Sequence, residues 1–101
     1  MRTLRWGEGA IRDLEEILQE IAAQDPLAAK RFLRGVREKV EGLTDFPLRG
    51  SPQPHLLRSP PPRRLIHGSY LIYYTVHRKE LRIRASVHGA RLFQRAWLRK
   101  R

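Results

Sequence analysis

The run from Arg63 to Arg91, RRLIHGSYLIYYTVHRKELRIRASVHGAR, constrains the fold more than any other part of the chain. Apolar and polar residues alternate through it, with breaks at Gly68-Ser69 and between His77 and Glu80. Alternation of period two makes strands, and a glycine that accepts positive φ suits the reversal between two of them. The spacing predicts strands over 63–67, 70–76 and 81–88. In the middle strand Tyr70, Ile72, Tyr74 and Val76 share a face. In the last, Leu81, Ile83, Ala85 and Val87 are expected on the packed face, and Arg82, Arg84, Ser86 and His88 form a row on the other.

Upstream the period changes. After a short strand over 2–6, Ile11, Leu14, Leu18 and Ile21 recur at three- and four-residue steps, which predicts a helix over about 8–23. Asp13, Glu15, Glu16, Gln19 and Glu20 are expected to face mostly away from its stripe. Asp25-Pro26 starts a second helix, because Asp25 can cap and Pro26 suits the first helical position. That helix reaches about Thr44 with a stripe of Ala29, Phe32 or Leu33, Val36, Val40 and Leu43. Six prolines between Pro47 and Pro62 then forbid helix or central strand, so this segment reads as an extended loop hugging the helices through Leu48, Leu56 and Leu57. The order is β-α-α-β-β-β. An α+β fold follows, with a helix hairpin on a mainly antiparallel four-stranded sheet and a single domain over 1–101.

Lys and Arg number 21 against 10 Asp and Glu, a net charge of +11 and a pI near 11.4. That excess favours a polyanionic partner: nucleic acid, an anionic membrane surface or an acidic protein. With no cysteine there is no disulfide, thiolate nucleophile or cysteine metal site, and His55, His67 and His77 share no metal-ligand spacing. No metal or cofactor is expected. The start of the chain lacks the apolar region of a signal peptide and no segment is apolar enough to span a bilayer, which points to the cytoplasm.

These residues resemble the RelE/ParE superfamily of type II toxin–antitoxin toxins over nearly the whole chain. The resemblance is carried by Ala10-x-x-Asp13-Leu14-x-x-Ile17, Asp25-Pro26-x-Ala28-Ala29 and Phe46-Pro47-x-x-Gly50. It continues in Tyr70-x-Ile72-x-Tyr74-x-Val76 and Val87-His88-Gly89-x-Arg91. It implies a growth-inhibiting toxin, neutralised in a hetero-oligomer by an acidic, partly disordered antitoxin. It also implies one of two toxic acts: ParE-like inhibition of DNA gyrase or RelE-like, ribosome-dependent cleavage of messenger RNA. A toxin-like fold that only binds antitoxin or nucleic acid is a third reading.

For metal-free RNA cleavage the resemblance nominates His88 as general base, with Arg64 and Arg91 as cations on the phosphate. The bland reading makes His88 a strand-end residue shaping the turn at Gly89. It leaves Arg64 and Arg91 in ion pairs with the first helix. Arg82 and Arg84 are phosphate contacts or a solvated row, and Phe93 and Trp97 touch a base or target, or cap the core. Tyr70, Tyr73 and Tyr74 read as sheet packing. Three residues depart from the RelE-like pattern. Leu71 stands where a phosphate-binding arginine is usual, Pro62 replaces another cation, and Trp97 falls near the catalytic tyrosine. The departures favour the gyrase reading.

Overall fold

The computed structural model describes residues 2–56 and 59–89. Strand β1 (Thr3–Trp6) leads into helix α1 (Glu8–Gln24) and then α2 (Pro26–Glu41), which a short 3₁₀ turn (Gly42–Thr44) extends. Strands β2 (Ser51–Pro52), β3 (Arg63–His67), β4 (Tyr70–Val76) and β5 (Glu80–His88) follow. They form one sheet in the order β1-β5-β4-β3-β2, antiparallel except where β1 runs parallel to β5. The sheet therefore has five strands, not the four expected. The proline-rich segment supplies the extra one, because Ser51 and Pro52 pair with Arg64 and Arg63 at the rim. Proline is tolerated there because a rim strand need not donate on its outer side.

The local rules account for the helices. The Asp25 carboxylate accepts the N–H groups of Leu27 and Ala28 at 3.1 and 3.2 Å, so α2 is capped. Val36 and Val40 bury themselves on the sheet, with Phe32 half-buried beside them, and Ala29 is buried near α1. In α1 the buried residues are Ala10, Asp13 and Ile17, whereas Ile11 is 44% exposed. The packed stripe is thus rotated from the one read in the sequence, and Asp13 faces inward. The reason is a partner: its carboxylate accepts the Ser86 N–H at 3.0 Å. At Gly68 the turn takes φ +59°, as a glycine reversal allows.

The main core lies between helices and sheet and joins Ala10, Val36, Val40, Leu43, Leu65, Ile72, Tyr74, Leu81 and Ile83. Each fully buried Leu or Ile there contributes about 1.5–3 kcal/mol. A smaller cluster of Leu56, Tyr73, Ala85 and Val87 occupies the opposite face of the sheet. Leu56 therefore covers the face away from the helices, contrary to expectation. Leu48 is 64% exposed, and Leu57 lies outside the described residues.

The split core exposes an irregularity in β5. Tyr74 pairs with Ile83 and Tyr73 with Ala85, so Arg84 is one extra residue without a counterpart on β4. A β-bulge of this kind reverses the facing of all residues beyond it. Leu81 and Ile83 pack under the helices, whereas Ala85 and Val87 pack on the other side. The uniform alternation read from Leu81 to His88 is corrected accordingly.

Candidate functional site

The bulge decides where the candidate side chains go. His88 is in register with Tyr70, and their rings meet edge-on with centroids 4.9 Å apart. Tyr70 in turn packs against Phe32 of α2 at 4.9 Å. His88 therefore sits on the helix side. Arg64 pairs with Tyr73, whose ring belongs to the opposite cluster, so Arg64 lies across the sheet from His88. Its Nε is buried and has no hydrogen-bond partner among the described residues. Arg91, Phe93 and Trp97 lie outside the described residues.

Beside His88, Phe32 also meets His67 edge-on at 5.2 Å. Burial lowers the pKa of His67 below the ordinary histidine value, and the Lys39 ammonium lowers it further. Lys39 reaches back to the sheet, donating to the Ile66 carbonyl at 2.6 Å.

Arg82 is in register with Arg5 of β1 and with Thr75 of β4. It also bonds Glu80 through Nε at 2.6 Å, and this bond is the main reason the Glu80 carboxyl falls below its usual range. Together Arg5, Arg12, Arg82 and Arg84 line a hollow of about 450 Å³ where β1 runs into α1. Gly7, Glu8, Gly9 and Ile83 complete its wall. Arg82 and Arg84 are the two of these arginines that the sequence singled out. Arg5 and Arg12 were not singled out, because nothing local tells that β1 inserts beside β5. The signal available was the alternation of Thr3 and Arg5 against Leu4 and Trp6.

Among the described residues no three His, Cys, Asp or Glu side chains gather as a metal site, and no helix is long and apolar enough to cross a membrane.

The model of the ParE toxin of type II toxin–antitoxin systems matches residues 4–93. The chain belongs to the ParE toxin family. It is thus a toxin of the type II toxin–antitoxin class. Among solved structures, the chromosomal ParDE toxin–antitoxin system from P. aeruginosa aligns with a TM-score of 0.72 at 23% identity. That alignment covers 87% of this chain and 96% of that one, which shows that the fold is the same. No curated protein matches the chain.

Proposed function

We propose that this ParE-family toxin arrests growth by binding DNA gyrase in the cytoplasm, without cutting RNA, and that a cognate antitoxin holds it silent. The observation that carries the reading is the separation of His88 and Arg64 by the sheet. RNA cleavage needs the base and the phosphate-holding cation around one reacting centre. A histidine in ring contact with Tyr70 on the helix side is poorly disposed to share a substrate with a guanidinium on the other. Leu71, in place of a phosphate-binding arginine, supports the same reading.

The antitoxin is proposed to be acidic and partly disordered. Leu27, Phe46, Leu48 and Ile66 are large apolar residues left 55–64% exposed on a chain of net charge +11. An acidic segment that folds as it binds would cover apolar surface and neutralise charge together.

The test combines two assays on the same protein. Purified toxin added to gyrase and relaxed plasmid should block supercoiling or trap linear DNA. Messages from cells expressing the toxin should stay intact by primer extension. Cuts at codon positions that vanish in His88→Ala, with gyrase unaffected, would replace this reading by the ribosome-dependent endoribonuclease.

A further inference from the structure

We propose that the hollow at the start of α1 is a phosphoryl-binding site, which takes a phosphate group of a nucleotide, either free or within a strand. The inference goes beyond the gyrase reading and does not depend on it.

The sequence brings four guanidinium groups to one concavity from three separate elements: Arg5 from β1, Arg12 from α1, and Arg82 and Arg84 from β5. Arg5 and Arg82 stand directly in register on adjacent strands. Like charges so placed repel, and Glu80, which bonds Arg82 and lies within reach of the Arg5 charge, offsets part of that repulsion. Among the described residues lining the hollow Glu8 is the one carboxylate beside four arginines, so the lining itself is net positive.

The backbone adds to this field. The Gly7 N–H donates to the Ile83 carbonyl at 3.0 Å and fixes the junction between β1 and the helix. Gly7 at the N-cap gives the 17-residue α1 no side-chain cap, and the positive end of the helix dipole lies at the hollow. Gly7 and Gly9 also line the wall, and a Cβ on Gly7 would press on the Ile83 carbonyl at 3.2 Å, so glycine there lets β1 run into the helix close to β5.

Shape and charge density select the ligand class. A hollow of about 450 Å³ is the size of a small-molecule site. Guanidinium forks beside a helix start suit phosphoryl oxygens: the three terminal oxygens of a free nucleotide's phosphate, or the unesterified oxygens of neighbouring diesters in a strand. A single carboxylate of an acidic protein would occupy only a part of that capacity.

The experiment measures anisotropy of a fluorescein-labelled single-stranded oligonucleotide of about twelve nucleotides, titrated with the full chain at fixed salt. The paired variant Arg5→Gln, Arg12→Gln alters exposed side chains and should weaken binding by about tenfold or more. The control Arg31→Gln, Arg37→Gln removes the same charge from α2, away from the hollow, and should weaken it by less than about twofold. Arg12→Lys, which keeps the charge and loses the fork, should fall between wild type and the paired variant.

Pyrophosphate and poly-glutamate serve as competitors. Displacement by pyrophosphate assigns the site to free phosphates. Binding that needs Arg5 and Arg12 but resists pyrophosphate assigns it to a strand. Equal losses in the pocket and control variants, or no loss in either, would overturn the proposal. So would poly-glutamate competing as well as unlabelled oligonucleotide.

Discussion

The carboxylate of Asp13 on α1 holds the backbone N–H of Ser86 on β5 at 3.0 Å, with both residues buried. Strand β1 accompanies β5 only as far as Ile83. Beyond that point the side chain of Asp13 does what the missing strand would have done. Asp13→Ala leaves the Ser86 amide buried without this acceptor and should cost about 1.5–3 kcal/mol. Asp13→Asn retains a carbonyl acceptor and should cost clearly less. Urea unfolding of both variants, at equal m-values, checks the order.

A second prediction concerns the loop after α2. The Tyr74 hydroxyl donates to the Pro47 carbonyl and accepts the Gly50 N–H, both at 2.8 Å. One buried phenol therefore ties the loop to the central sheet. Tyr74→Phe should cost about 1–3 kcal/mol by leaving the Gly50 amide unmatched. Gly50→Ala should cost a similar amount for a different reason. Its Cβ would lie 2.7 Å from the Tyr74 ring and 3.0 Å from the Arg64 carbonyl, and neither neighbour has room to retreat. Thermal unfolding of the two variants tests both.

The bulge makes a third prediction, in deletions. Removing Arg84 brings Ile83 and Ala85 together in sequence while each keeps its partner, Tyr74 or Tyr73. The chain lacking Arg84 should fold with an unchanged far-UV spectrum and lose no more than about 2 kcal/mol. Ala85→Arg should not fold stably, because Ala85 is 0% exposed within the smaller cluster and an unpaired charge cannot be accommodated there. An Arg84 deletion that unfolds would show that the extra residue is needed for the sheet itself.

Stability should also fall with acidification. Burial lowers the pKa of His67, with help from Lys39. It also lowers that of His77, where Arg82 and Arg84 add to the effect and Glu80 opposes it. Below the ordinary value of 6.5 the unfolded chain takes up protons that the folded chain still refuses. The unfolded state then binds more protons, so stability drops as pH falls from 6.5 towards the folded values and levels off below them. Urea midpoints measured from about pH 7.5 to about 5.5 should decline, and the His67→Gln, His77→Gln variant should show a flatter profile.

Much of the fold was legible because local physics determines it. The Asp25-Pro26 start, the Gly68 turn and the strands over 63–67 and 70–76 follow from capping, φ freedom and alternation. The facing of the last strand was not legible. Leu81 to His88 alternates without a flaw in the sequence, and the bulge exists only in the pairing of that run with two consecutive buried tyrosines. The inward turn of Asp13 was hidden for the same reason, since its partner is an amide 73 residues away. For the candidate site the consequence was large. One extra residue in β5 moved His88 to the other face from Arg64, and a parallel strand pairing brought Arg5 to Arg82.

The two-residue β2 has a bearing on how the protein survives without its counterpart. A sheet of this size offers an incoming chain two margins to extend. On the β2 margin the ladder is a single dipeptide, and Pro52 has no amide proton to offer. Fibril-like stacking of copies is thereby discouraged on that border. Any recruited strand is directed to the opposite border, alongside Thr3–Trp6, where it would meet the positive charge of Arg5.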